Sequence, residues 1–405
     1  MAIWKRQNSN QQNRSKKAYG LTIRITTAAL IVLWVGSCLL LQGCMGGAAK
    51  LDTLGIVYGC SIDVGERVGD VSMTAYMLKS SPIPDATEDS EYKTISAQGN
   101  SLSSLTGELS MKAERNLFWG HNQLVAFSEE MAKQGLKPWL SSFYTDRDKR
   151  GAENVVIVKG KASDLFEIVN FIDQNPVQGI SDLVEEGNGT GYIMASNIHT
   201  LVDSQISESR CGLVPMGEIR QDNQGQKTFA LTGLAVIQDY RMIGQLDLEQ
   251  ARGAMIVLDN VQGGAINVDY SEEELVGCQI VECNGDLHVD DRGKSTYTLD
   301  VLLEYSLEEQ SGGTDFTEPQ QMEALNQKME QEMKTQVKSA LALSKQMGGD
   351  FLGLANTMYG QDLSQYKQSG GSAAILAQAD IRVQITCKLI YHGLNYRPAV
   401  PGEGF

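Results

Sequence analysis

The sequence predicts a multi-domain protein of α+β, or mixed α/β, class: mixed β-sheets flanked by helices, with one long helix in the C-terminal domain. Three observations carry this reading. Apolar runs of strand length at residues 54–63, 123–127, 154–158, 229–237 and 381–391 alternate with segments whose apolar residues recur at helical spacing. Residues 318–347 hold the longest of those segments, with one narrow apolar stripe. The chain of 405 residues exceeds what a single hydrophobic core usually organises.

The first 24 residues carry Lys5, Arg6, Arg14, Lys16, Lys17 and Arg24 and no acid, and residues 25–41 carry no charge at all. These are the n-region and h-region of an export signal. Leu41-Gln42-Gly43-Cys44 follows and resembles a bacterial lipobox, so residues 1–43 are expected to be a lipoprotein signal peptide and Cys44 the site of lipid attachment. An uncleaved transmembrane anchor is the competing reading, since about seventeen apolar residues lie at the short end of what spans a bilayer. Both place the remainder outside the cytoplasmic membrane. Loss of the leader removes six positive charges and takes the formal charge from −16 to about −22. Such a surface repels nucleic acid and anionic headgroups, which excludes a nucleic-acid partner.

Residues 54–63 form a buried strand, a Gly-containing turn follows, and residues 71–78 alternate: a β-hairpin. In residues 101–135, Leu102, Leu105, Leu109 and Ala113 give a helix that Ser101 can cap. Leu117-Phe118-Trp119-Gly120-His121 then sets two large rings against a glycine and reverses the chain. Residues 123–127 are a short strand, Ser128 caps a second helix stopped by Gly135, and Pro138 suits the first turn of a third. Arg115, Phe118, Trp119 and His121 read either as a structural corner whose rings fill a core or as a face toward a partner.

Residues 173–190 are polar and end Gly187-Asn188-Gly189-Thr190-Gly191. No strand leads into that run and no Lys follows it, so a linker or loop is expected rather than a phosphate loop. The next domain begins near Cys211. Residues 229–237, a turn at Asp239-Tyr240, residues 242–246 and a helix over 247–257 make a hairpin and helix; strands follow at 274–283, 286–290 and 295–305, and Gly312-Gly313 breaks the pattern. In the long helix, Thr317 and Gln320 suggest a capping box, Pro319 sits in the first turn, and Gly348-Gly349 ends it. Its stripe of Met322, Leu325, Met329, Met333, Val337, Leu341 and Met347 reads as a core face rather than an adaptable groove, about 45 Å long at 1.5 Å per residue. Residues 351–358 are a further amphipathic turn, and residues 381–391 close the domain as a strand.

Of seven cysteines, Cys60, Cys211, Cys278, Cys283 and Cys387 lie beyond the leader and Cys44. Their number is odd and their spacing irregular. Cys278, Cys283 and His288 fall five apart, but strand parity separates them and a fourth ligand is wanting, so no metal is expected. Buried free thiols and a 278–283 disulfide both remain open.

One set of residues carries a family resemblance. A helix followed by Arg115-Asn116-Leu117-Phe118-Trp119-Gly120-His121, an apolar strand, a short helix ending at Gly135, the charged run Asp146-Arg147-Asp148-Lys149-Arg150, a strand at 154–158 and a helix near 162–168 resembles the Ger(x)C family of spore germination lipoproteins over roughly seventy residues. Ile62-Asp63, Gly233-Leu234-Ala235-Val236, Ile243-Gly244 and Arg252-Gly253 resemble further family segments. The resemblance implies a division into residues 44–205 and 206–405, the N- and C-terminal germination-protein domains, the latter open to subdivision into two subdomains. It also implies a lipid-anchored, non-catalytic C subunit of a nutrient germinant receptor, acylated (palmitate) on the outer face of the spore inner membrane. The implied partners are an integral-membrane subunit and a permease-like subunit.

The residues themselves agree with the absence of enzymatic activity. There is no Gly-x-Ser-x-Gly, His-Glu-x-x-His or Walker loop, only four histidines, and no cofactor is expected. Two other classes compete. A substrate-binding lipoprotein of a transporter would show two similar α/β lobes, and a cell-envelope scaffold would be distinguished by deletion without effect on germination.

Overall fold

A hairpin opens the described chain, with β1 (Leu54–Val64) and β2 (Val71–Leu78) paired antiparallel from Val57↔Met77 to Val64↔Val71. The computed structural model describes residues 54–78, 92–145, 151–168, 175–290 and 295–390; the leader, Cys44, the charged run at 146–150 and Tyr391 lie outside them. After β3 (Tyr92–Gly99) come α1 (Leu102–Lys112), β4 (Asn116–Phe118), β5 (Leu124–Ser128), α2 (Glu129–Gln134), α3 (Lys137–Thr145) and β6 (Asn154–Lys159). A 3₁₀ turn (Ala162–Glu167), α4 (Pro176–Gly189) and α5 (Ile198–Ile206) lead to β7 (Cys211–Gln221), β8 (Lys227–Gln238) and β9 (Arg241–Leu246). The C-terminal part holds α6 (Leu248–Val257), β10 (Ala265–Asp269), β11 (Leu275–Val289), β12 (Thr296–Gln310), α7 (Pro319–Met347), α8 (Leu354–Gln361), α9 (Leu363–Ser369), α10 (Ser372–Gln378) and β13 (Asp380–Leu389).

Among the described residues two mixed sheets result. The first has nine strands in the order β3-β2-β1-β5-β6-β7-β8-β9, with β4 alongside β1. Its centre, β1-β5-β6-β7, is parallel, and its flanks are antiparallel. The second has four strands in the order β10-β11-β12-β13, and β13 returns parallel to β12 after α7 to α10.

Several elements differ from the sequence reading. Residues 173–190 hold a helix rather than a loop: Asn175 accepts from the N–H groups of Val177 and Gln178, Pro176 starts the first turn, and Val177, Ile180 and Val184 are buried at helical spacing. Strands 274–283 and 286–290 are one strand, because Asn284 and Gly285 stay paired with Leu302 and Val301. The long helix has Glu318 at its N-cap position and no side-chain cap there; the expected box at Thr317 does not form, and the Thr317 hydroxyl donates to Asp315 Oδ1 at 2.5 Å.

The turn at Asp239-Tyr240 has both central residues at positive φ, 48° and 65°, the primed geometry that suits a two-residue hairpin loop. Left-handed backbone is costly for a tyrosine. The buried Gln205 holds it by accepting the Tyr240 N–H at 2.8 Å and donating to Ile237 O at 3.1 Å.

The first sheet separates three cores. On one face, Val125, Phe127, Val155 and Ile157 pack with Leu105 and Leu109 of α1 and Leu140 and Phe143 of α3. On the other, Leu124, Ala126, Val156 and Val158 meet the 3₁₀ turn and α4. Farther along, Leu213, Leu234 and Val236 join α6, α7 and the second sheet. The α7 residues buried there are Leu325, Met329, Met333, Val337, Ala340 and Ser344, which confirms the stripe read from the sequence as a core face.

A buried carboxylate ties the two ends of this core. Asp350, 2% exposed, accepts from Leu354 N (2.9 Å), Ala355 N (2.8 Å) and Ser209 Oγ (2.7 Å), so it caps α8 while gripping the loop before β7.

Met333→Asp should destabilise the protein by about 3–5 kcal/mol in urea unfolding, because the new charge has no partner in the core; an unchanged midpoint would contradict the packing of α7. Burial pushes the Asp350 carboxyl above its ordinary value of 3.8, and the Ala355, Ser209 and Leu354 donors offset this only in part. The folded state therefore holds that proton more tightly than the unfolded chain, and stability from this group is lost as pH rises above 3.8. Asp350→Asn should show a smaller stability loss than the parent between about pH 4 and about pH 7; equal slopes would contradict this role.

Candidate functional site

The corner at residues 113–123 is built by the end of α1 and the edge of β1. Ser101 Oγ accepts from Ser104 N at 3.2 Å to start the helix, and Leu105 and Leu109 seat it on the sheet. At the far end Ala113 N donates to Leu109 O at 2.9 Å, and Glu114 at φ 59° turns the chain out of the helix. The short β4 then runs beside β1 and sorts its side chains by parity. Leu117 packs against the core, Phe118 is 38% exposed, and Trp119 is buried at 8% exposure.

A tight turn follows, closed by Asn122 N donating to Trp119 O at 3.0 Å. Gly120 is needed there: a Cβ would lie 2.5 Å from Phe118 Cζ, so only glycine lets that ring fold over the turn. The Phe118 ring meets the exposed His121 edge-on, with centroids 5.8 Å apart and planes at 72°. Beneath them Asn122 is buried. Its Nδ2 approaches Cys60 Sγ at 4.0 Å, and its Oδ1 has no donor among the described residues.

The structure thus brings Phe118 and His121 together on the surface and sends Trp119 to the opposite side. Arg115 is half-buried at the base of the corner, and Cys44 lies outside the described residues. Asn122 escaped the sequence reading, although its place directly after the Gly-His pair was a usable signal. So did the role of Asp63, 6% exposed, whose carboxylate accepts from Ala162 N (2.7 Å) and Ser163 N (3.1 Å) and ties β1 to the start of the 3₁₀ turn. Burial raises the Asp63 carboxyl, and those two donors lower it in part.

The cysteine alternatives resolve as free, buried thiols at Cys60, Cys211, Cys278, Cys283 and Cys387. A bulge between Ile280 and Glu282 returns Cys283 to the core face that Cys278 occupies, and burial pushes both thiols up to about 12. His288 is exposed, 3.5 Å from Asp286 and 3.6 Å from Asp300.

Comparison with known proteins places this architecture. Residues 47–219 match the spore germination protein N-terminal domain, and residues 232–393 match the spore germination B3/GerAC-like C-terminal domain. The chain is 22% identical over 365 residues to spore germination protein KC of Bacillus subtilis (strain 168), an alignment covering 84% of this chain and 89% of that protein. It is 19% identical over 208 residues to the putative spore germination protein YfkR of the same organism, covering 51% and 54% of the two chains. The crystal structure of the GerBC protein superposes with a TM-score of 0.55 at 15% identity, covering 83% of this chain and 98% of that one, and shows the same fold. The chain belongs to the Ger(x)C family of spore germination proteins, the C-subunit family of germinant receptors.

Trp119→Ala should lower stability by about 3–5 kcal/mol, whereas Phe118→Ala on the exposed side should stay within about 0.5 kcal/mol of the parent. Equal losses in chemical denaturation would contradict the inward and outward assignment of the two rings.

Proposed function

We propose that the chain is a non-catalytic subunit of a spore nutrient germinant receptor, anchored by acyl chains on Cys44 to the outer face of the spore inner membrane. In this reading it works with an integral-membrane subunit and a permease-like subunit, and the Phe118–His121 face, with Arg115 at its base, is where it meets them. The observation that carries the assignment is the exposed aromatic–imidazole pair mounted on a tight turn, with Trp119 as its inner fastening. Aromatic and arginine side chains on rigid supports are the usual centres of interface energy. The acidic body favours a protein partner over anionic lipid here. Among the described residues no helix is long and apolar enough to cross a membrane.

Unequal sheets of nine and four strands argue against the two similar lobes of a transporter's binding protein.

The test has two arms. Cys44→Ala should lose its diacylglycerol label by mass spectrometry, and retention of the label would refute attachment at this residue. Arg115→Ala and Phe118→Ala should keep the parent's thermal midpoint yet recover less permease-like subunit from spore membranes, by about tenfold or more where either is an interface centre. Normal recovery together with normal germination would remove the corner from the interface.

A further inference from the structure

Away from the corner, a cavity of about 480 Å³ lies between the end of α4, residues 194–204, the start of β7 and the loop that enters α8. Its size falls inside the roughly 300–1,000 Å³ of small-molecule sites. One part of its wall is apolar, with Met194, Leu213, Leu258 and Phe351. The polar part is made of amides and hydroxyls, among them Asn188, Asn356 and Thr200. Among the described residues, no Asp, Glu, Lys, Arg or His lines it.

Two of the amides are held in fixed orientation. Asn356 Oδ1 accepts from Ser209 N at 2.9 Å, and its own N–H donates to Ser209 Oγ at 3.3 Å. Asn188 Oδ1 accepts from Ala195 N at 3.1 Å. Because each oxygen is fixed by a backbone donor, each Nδ2 is the remaining end of its carboxamide, and neither has an acceptor among the described residues. The nearby Asp350, its carboxyl held by Leu354, Ala355 and Ser209, lies behind this wall and acts on the lining Cys211 as a negative charge, which disfavours an anion in the cavity. Gly212 keeps the wall between α5 and β7 thin: a Cβ there would stand 2.2 Å from Ser204 Oγ.

We propose that this cavity binds a neutral, hydroxyl-bearing small molecule, of monosaccharide to nucleoside size. The two prepositioned Nδ2 donors call for acceptor oxygens, and the Met194–Leu258–Phe351 wall suits the apolar face of a ring. An anionic ligand would lose its hydration with no positive side chain among the lining residues to replace it. This inference does not depend on the receptor reading and can fail or succeed without it.

The test is saturation-transfer NMR on the full chain, in a detergent without a sugar headgroup. The probes are the matched pairs D-glucose with D-glucuronate and uridine with uridine 5′-monophosphate. At least one neutral probe should bind saturably, and its charged partner should bind about tenfold more weakly or worse. Asn356→Asp and Asn188→Asp each keep the acceptor for Ser209 or Ala195 and replace the donor with an anionic oxygen. Each should weaken the neutral probe by about tenfold or more at an unchanged thermal midpoint. If a variant loses its fold, Ala195→Trp, at an exposed position of the lining, should block binding instead. Absence of saturable binding by both neutral probes, equal affinity for the charged partners, or undiminished binding in the variants would overturn the assignment.

Discussion

Strands β7 and β8 are buried on both faces, and neighbouring residues along them serve different cores. Leu213, Leu234 and Val236 face α6, α7 and the second sheet, while Val214, Ala235 and Ile237 face the core shared with α1, α3 and α5. A strand with period two can hold two hydrophobic bodies together in this way, and a slip of one residue would exchange the two sets. The register is held at the end where Cys211 of β7 faces Gln238 of β8: there the positive-φ turn at Asp239-Tyr240 sits under Gln205. At the same end Asp350 grips Ser209 just before β7 begins. The two family matches, ending at residue 219 and starting at residue 232, meet inside this β7–β8 hairpin. The conventional division of the family thus cuts through the element that joins the halves.

This constraint gives the corner its meaning. Trp119 belongs to the core that reaches Val214 and Ile237, so the turn bearing Phe118 and His121 is fastened to the same strands that receive α6 and α7. The cavity beside Asn356 sits against the same strands, through Cys211, Gly212 and Leu213. Its lining also includes Leu201, which belongs to the same core as Trp119.

Much of this was legible in the sequence because local pattern and tertiary role agree. The period of Leu102, Leu105, Leu109 and Ala113 gave α1, the Met333 stripe gave α7, and Asp239-Tyr240 gave the hairpin turn. What stayed hidden has physical causes. In α4, the polar run ending in Gly187 and Gly189 outweighed Val177, Ile180 and Val184, whose burial supplies what helix propensity lacks. Strand β10 is five residues long with exposed Ala265, Asn267 and Asp269, too short and too polar to stand out. The joining contact of Ser209 with Asp350 spans 141 residues, and no local period encodes it. Two adjacent rings, Phe118 and Trp119, looked equivalent until the turn at Gly120 assigned one to the surface and the other to the core.

The central claim is that the shared strands make residues 55–390 one cooperative body. Native-state hydrogen exchange measures it most directly, by comparing amides of β5 and β6, which sit in the first sheet, with amides of α7, which rests on the second. If the strands couple the cores, the slowest amides of both groups will share one opening free energy and one dependence on denaturant. Two distinct opening energies, with α7 exchanging while β5 and β6 remain protected, would show that the halves unfold separately and would contradict the coupling.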